Sequence, residues 1–304
     1  MKNKILKIFI ILFVVVSLTG CTKTLKDENK KIVKNPKTGQ TITKNILCKP
    51  ESKDILKIYK ENKVNISKLP KCDEFKANSG GYDGIWATIF IKPLAWFIIE
   101  VGKLFNNYGL AVIFITILIR LVMYPVTKNT AAQSENMKNA KPTLEKLEKK
   151  YDGKTDQASQ MQKSQEMMAI YKKYNINPLA GCLFALIQIP LFFAFYEALN
   201  RIPALFEGSF LGLKLGMSPG TAIMDGEIWY AIIIILVVGA TFFSMKMNKT
   251  ASMSEEQERQ MATMTKVMIV IISISSVTVS TGLALYWIAN SSFTILQNLI
   301  VKRR

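Results

Sequence analysis

One membrane-length run, 109–126 (GLAVIFITILIRLVMYPV), restricts what this chain can fold into, because Arg120 is its only charge. An arginine near the middle of a spanning helix costs roughly 2.5 to 3.5 kcal/mol on insertion scales, so it normally faces a hydrated cavity or a partner. At helical spacing Thr116 lies one turn before Arg120, and Tyr124 and Thr127 lie one and two turns after it. That pattern draws one polar stripe along an apolar rod and predicts that the stripe faces inward. The plainer alternative is that Arg120 snorkels towards Lys128, roughly 12 Å further along the helix.

The rest of the chain is consistent with a membrane. Its 304 residues are 49% hydrophobic, yet they carry 40 Lys plus Arg against 22 Asp plus Glu. Apolar blocks alternating with basic loops fit a polytopic protein better than a soluble one. Histidine is absent, which removes Ser-His and Cys-His nucleophilic pairs and His-ligated metals, so an enzyme is not expected. The four cysteines, Cys21, Cys48, Cys72 and Cys182, show no metal-ligand spacing. No cofactor is expected either.

Lys2, Lys4 and Lys7 precede a short apolar run that ends in Leu18-Thr19-Gly20-Cys21, the layout of a secretory signal over 1–20. The tetrapeptide resembles the lipobox of bacterial lipoproteins, which implies lipidation at Cys21 and a mature N-terminus outside the cell. Residues 22–82 hold 15 Lys against 7 acids with few aromatics, and this composition predicts a largely extended external tether, 21–82, with little core of its own. Cys48 and Cys72 are free to pair in an oxidising compartment or to stay as thiols, and spacing does not decide.

Within 83–106, Lys92, Glu100 and Lys103 fall within about 80° of one another on a helical wheel, and Trp86 and Trp96 suit a headgroup layer. An interfacial amphipathic helix on the outer surface is expected. The first span, 107–126, leads into the loop 127–176, whose ten Lys against six acids place it inside. There Met137, Ala140, Leu144, Leu147 and Tyr151 recur at seam spacing, Asp152 to Asp156 reads as a turn, and Met161, Met168 and Tyr171 read as the answering seam. A cytoplasmic helical hairpin follows. Gly153-Lys154-Thr155 is no P-loop, since Glu148 stands where the first glycine is required.

A second span, 177–198, carries Gln188 and the kinking Pro190, with Cys182 as a packing residue. The loop 199–227 has two bases and three acids and belongs outside; its Gly216-Met217-Ser218-Pro219-Gly220 matches GxSxG in form but lacks any histidine. Further spans at 228–247, 261–279 and 281–301, with an inner loop at 248–260, leave Lys302, Arg303 and Arg304 inside. Tyr286, Asn290, Thr294 and Gln297 mark a second polar stripe on the last of them. The fold class expected is an all-α polytopic membrane protein of five transmembrane helices around a hydrated groove.

Interhelical hydrogen bonding explains the second stripe, but no acid lies mid-span to neutralise Arg120, and an uncompensated positive charge in low dielectric attracts anions. The guest is open at this point: a small anion, a lipid headgroup or an acidic polypeptide segment. Three stretches narrow it. NYGLAVIFITILIRLVMYP, NPLAGCLFALIQIPLFFAFYEAL and GLALYWIANSSFTILQNLI, in this order across roughly 85–301, resemble the YidC family of membrane protein insertases, relatives of the Oxa-type insertases. The lipobox and the lack of a large external domain resemble the short form of Gram-positive bacteria.

The resemblance implies insertion and folding of membrane proteins without nucleotide hydrolysis, through a groove open to the cytosol and to lipid. It implies that Arg120 is the groove arginine and that Gln188 and Trp287 are groove positions; Thr116, Tyr286 and Asn290 join them from the stripes. Implied partners are newly made membrane proteins and the bilayer, with the Sec translocon and the ribosome as further candidates, and no DNA. Only three residues follow Val301, so a long basic tail able to grip ribosomal RNA is not expected. Many methionines, among them Met161, Met167, Met168, Met264 and Met268, are expected near the inner side, most of them as packing residues. A transporter or channel for an anionic solute would also employ a buried arginine, but no internal repeat or matched pair of broken helices is visible. A lipid-anchored structural subunit is a third class, and it predicts that Arg120→Leu is silent.

Overall fold

The computed structural model describes residues 22–177, 180–247 and 255–302. The expected signal peptide, Cys21 and half of the expected inner loop 248–260 lie outside them, as does the side chain of Cys182.

The segment expected as an extended tether is folded. Three short stretches around Thr24, Val33 and Ile42 pair through the bridges Thr24–Thr43, Lys26–Ile32 and Lys34–Thr41. Alternation turns Leu25 and Ile42 inward and Lys26 and Lys34 outward. Helix α1 (Lys53–Glu61) lays Ile55 and Tyr59, one turn apart, on this knot, and the Tyr59 hydroxyl donates to the Thr43 carbonyl. Phe206, far along the chain, completes the cluster, and a Cys48–Cys72 disulfide closes a loop within the segment. Composition undercounted the core because part of it is borrowed from elsewhere in the sequence.

A π-helical turn (Ala87–Ile91) precedes α2 (Lys92–Leu104), where Pro93 has no N–H to offer the turn before it. The polar face of α2 is covered at its N-terminal end and open at its C-terminal end, where Lys103 is exposed. Lys92 is buried and donates to the carbonyls of Ser79 and Gly81, and Lys103 donates to Asp73 O and pairs with Glu100. Trp86, expected in a headgroup layer, is fully buried, and its indole N–H donates to Glu197 at 3.0 Å. Asn107 then caps α3 (Tyr108–Val122), its side chain accepting from Leu110 N at 3.0 Å. Two glycines permit close approach here: a Cβ on Gly102 would lie 2.4 Å from the Tyr108 ring, and one on Gly109 would lie 2.5 Å from Phe210 Cβ.

The chain breaks at Met123 and restarts as α4 (Tyr124–Lys150), with Pro125 in its first turn. A turn with Gly153 at φ +71° leads to α5 (Gln157–Lys173), capped by Asp156. The expected hairpin is present, and its first seam is as read: Met137, Ala140, Leu144, Leu147 and Tyr151 are all buried. Its second seam is shifted. Tyr171 is buried as read, but Met161 and Met168 are exposed, and Met167, Ile170 and Tyr174 pack beside Tyr171 instead. Heptad spacing admitted both registers, and the aromatic pair decides because it buries more apolar surface.

Helix α6 (Ala180–Arg201) contains Pro190 and is followed by the short α7 (Pro203–Glu207), a hairpin of β1 (Ser209–Phe210) with β2 (Leu213–Lys214), and α8 (Pro219–Met224). Ser218 of the discounted GxSxG match caps α8 through Thr221 N. A 3-10 turn (Ile228–Tyr230) opens α9 (Ala231–Met247), and α10 (Glu255–Thr278) and α11 (Thr281–Lys302) complete the bundle. Among the described residues one helix, Ile228–Met247, is long and apolar enough to cross a bilayer by itself, and Tyr108–Val122 and Ala262–Thr278 are shorter apolar helices. Ile232, Ile235 and Phe243 on α9 and Val270, Ile271 and Ile274 on α10 are exposed, an apolar surface suited to lipid.

Candidate functional site

Two polar stripes face each other. Arg120 sits in the last turn of α3 and is only 3% exposed, and its Nε donates to Asn290 Oδ1 of α11 at 2.7 Å. Two turns further on each helix path, Gln297 Nε2 donates to Thr127 Oγ1 at 2.9 Å. Between them Thr294 is tied to its own backbone at Asn290 O. The pairing follows from the sequence spacing: seven residues separate both Arg120 from Thr127 and Asn290 from Gln297, two helical turns in each case.

Tyr286, one turn before Asn290, is 1% exposed and stacks on Phe195 of α6 at 4.4 Å between ring centroids. Its hydroxyl is buried without a well-formed hydrogen bond, within electrostatic reach of Arg120 and beside the Gln188 amide. Arg120, Gln188, Tyr286 and Asn290, four of the six residues expected at the groove, therefore converge. Trp287 is half-buried beside them, its ring 5.7 Å from Phe192, and it packs on the cluster of Tyr230, Ile233 and Val237. Thr116 does not join the polar contacts, because its hydroxyl donates to Val112 O at 2.6 Å on its own helix.

A guanidinium has five N–H donors. Among the described residues Arg120 spends one, on a neutral amide. Among the described residues no carboxylate pairs with it, so the site there is a buried positive charge with spare donor capacity. It has no nucleophile paired with a base, and among the described residues no group of His, Cys, Asp and Glu is placed to hold a metal.

Sequence reasoning missed a second buried polar cluster. Arg201, 1% exposed, pairs with Asp83 at 2.7 Å and donates from Nε to Asn45 O, while Glu197 takes the Trp86 N–H and Lys92 lies within electrostatic reach. The available signal was Glu197 four residues before Arg201 at the end of an apolar helix, one face carrying both signs. Leu47 N also donates to Arg201 O, so this cluster fastens the N-terminal domain to α6.

Comparison with known proteins gives a concordant result. A family model described as 60Kd inner membrane protein matches residues 100–304. The chain is 35% identical to the membrane protein insertase YidC of Oceanobacillus iheyensis over 226 residues, covering 73% of this chain and 85% of that protein. It is 36% identical to the membrane protein insertase MisCA of Bacillus subtilis over 218 residues, covering 71% and 79%. Among solved structures, an active YidC insertase with its first transmembrane domain resolved superposes with a TM-score of 0.50 at 25% identity, over 81% of this chain. The chain spans about half of that structure, 52% of its length. With its polar helix faces and these relatives together, the chain belongs to the YidC family of membrane protein insertases.

Proposed function

We propose that this chain inserts membrane proteins by lowering the cost of bringing a short acidic or polar segment part-way across the bilayer, with Arg120 as the attracting charge. The observation that carries the reading is that Arg120 is buried opposite Asn290, a neutral partner, instead of a carboxylate. A buried arginine kept for stability alone would be expected to carry a counter-ion, since an unpaired internal charge is costly.

In this reading the spans are α3, α6, α9, α10 and α11, starting outside and ending with the C-terminus in the cytosol. The chain is a cell-membrane protein, lipid-anchored through Cys21, with α2 at the outer surface and the α4–α5 hairpin in the cytosol as first receiver of the substrate. Gln188, Tyr286, Trp287 and Asn290 line the groove with Arg120, and Thr116 shapes its wall. The substrate helix leaves along α6 and α10 and gains bilayer burial at roughly 25 cal/mol per Å² of apolar surface. No nucleotide or covalent step enters. Substrates are newly made membrane proteins, received directly or beside the Sec translocon or the ribosome.

Reconstitution into liposomes tests the reading, scoring protease-protected insertion of a single-span protein with an acidic tail. Wild type and Arg120→Lys are expected to insert it and Arg120→Glu to fail. Equal insertion by all three would remove Arg120 from the mechanism, and no insertion by wild type above empty liposomes would end the autonomous reading.

A further inference from the structure

The N-terminal domain stands on the helices that carry the polar site. Gly282 N, at the start of α11, donates to Leu215 O, and Ser218 N, three residues on, donates to Thr38 O of the domain. On the α6 side, Arg201 holds Asn45 and Asp83. Eight residues of helix separate Asn290 from Gly282, roughly 12 Å, a distance that about four residues of extended chain would span. A segment that has passed Arg120 therefore arrives beneath this domain.

The domain that meets α11 there is basic. Lys23, Lys26, Lys30, Lys31, Lys34 and Lys44 are exposed and lie on the paired stretches and the turn joining the first two. Among the described residues none of the six takes part in an ion pair. The acids on that turn are Asp27, whose carboxylate accepts Lys31 N, and Glu28, which pairs with Lys63. Over residues 22–82 the balance is 15 Lys against 7 acids. Within 22–82 the large exposed apolar side chains are Ile32 and, at the far end next to the helices, Tyr82, so the paired stretches carry one such residue against six exposed lysines.

We propose that this lysine face captures the acidic translocated segment of a substrate as it emerges, drawing it outward after Arg120 has admitted it. The idea rests on the insertase reading above and deepens it by giving the outer domain a partner: an unstructured acidic peptide. Two attracting stations, one buried and neutral-partnered, one exposed and multivalent, set a direction. The buried charge acts at short range in low dielectric, and the exposed face reaches about 8 Å, the Debye length at physiological salt. Return of the segment then requires release from several lysines at once.

Two measurements test this on the full chain, using wild type and a variant with Lys23, Lys26, Lys30, Lys31, Lys34 and Lys44 each changed to Gln. The first is anisotropy of a fluorescent acidic peptide added to protein in neutral detergent micelles. Wild type should bind it, a charge-neutral peptide with Asn and Gln in place of its Asp and Glu should not bind, and the variant should bind roughly tenfold more weakly or not at all, with the difference vanishing at high salt. Absence of salt-sensitive binding by wild type overturns the proposal, whether or not insertion occurs. Displacement of the peptide by phosphatidylglycerol micelles but not by excess unlabelled acidic peptide would assign the face to lipid and overturn it too.

The second measurement is insertion in proteoliposomes of two substrates that differ only in tail charge. The variant should match wild type for the neutral tail and fall several-fold for the acidic tail. Equal loss for both would mark a general structural role and refute the proposal. A wild type that binds the peptide yet inserts neither substrate would count against the insertase reading and not against capture.

Discussion

Asn290→Asp separates stability from function at the buried site. The change puts a carboxylate where the amide oxygen now lies, 2.7 Å from Arg120 Nε. Two unit charges 4 Å apart attract by about 4 kcal/mol at an effective dielectric of 20. Desolvating a second ion costs several kcal/mol, which cancels most of that gain, so the melting temperature should shift by only a few degrees. The effect on a guest is not cancelled. The site's charge falls from one to zero, and the attraction offered to an acidic tail falls with it. Losing even a third of about 4 kcal/mol is a tenfold change in rate. Insertion of an acidic-tailed substrate into proteoliposomes should drop at least tenfold, while a neutral-tailed one is unchanged. Asn290→Leu is the control: it removes the acceptor, costs about 1.5 to 3 kcal/mol of stability for a charged donor left alone, and keeps the preference for acidic tails. If Asn290→Asp handles acidic tails as wild type does, the buried charge is not what selects them.

Three other perturbations address the frame around the site. Replacing Cys48 and Cys72 by Ser opens a loop of sequence separation 24, worth about 3.5 kcal/mol in the chain-entropy model, and limited proteolysis should then cut the 22–82 domain before the helices. Gly109→Ala drives a methyl against Phe210 and should destabilise by about 1 to 3 kcal/mol in thermal melts. Glu207 accepts the backbone N–H groups of Glu51 and Ser52, each at 3.0 Å, and burial raises its pKa above the usual 4.5 despite those bonds. A raised carboxylate pKa means that the docked form holds its proton more tightly, so the stability contributed is full below 4.5 and declines as pH rises through the raised value. The melting deficit of Glu207→Ala should accordingly be larger at pH 5 than at pH 8.

What the sequence made legible was set by range. The stripe through Arg120 and the stripe through Asn290 were each readable from helical spacing, since both arise within one helix. Their apposition was not, because Arg120 and Asn290 are 170 residues apart and periodicity carries no pairing information. The hairpin's first seam was readable for the same local reason. Its second was misplaced because methionines and tyrosines satisfy the same spacing, and burial alone distinguishes Met168 from Tyr171. Trp86 was assigned to a headgroup layer and Lys92 to the polar face of an interfacial helix because the 22–82 segment was read as having no core. Once that segment folds, it supplies the carbonyls of Ser79 and Gly81 to Lys92 and the carbonyl of Asn45 to Arg201, whose carboxylate partner Asp83 follows directly after it.

The two buried polar clusters are wired in opposite ways, and the contrast bears on which one does work. The cluster at the N-terminal domain gathers Asp83, Glu197, Lys92 and Arg201, two acids and two bases, and most of its groups are tied to backbone or indole partners. Internal balance of that kind leaves no net field for a guest and holds a domain in place, although the Arg201 Nη1 and Glu197 Oε2 atoms remain buried without partners. The cluster at Arg120 has, among the described residues, one base, neutral amides and hydroxyls, and no acid. Burial of both is comparable, at 1% exposure for Arg201 and 3% for Arg120, so solvent access does not distinguish them. Charge balance does. Removing Arg201 would leave Asp83 and Glu197 without their nearest counter-charge and should loosen the fold. Removing Arg120 discards an uncompensated buried charge, so Arg120→Leu should leave stability unchanged or raise it while insertion of acidic-tailed substrates is lost.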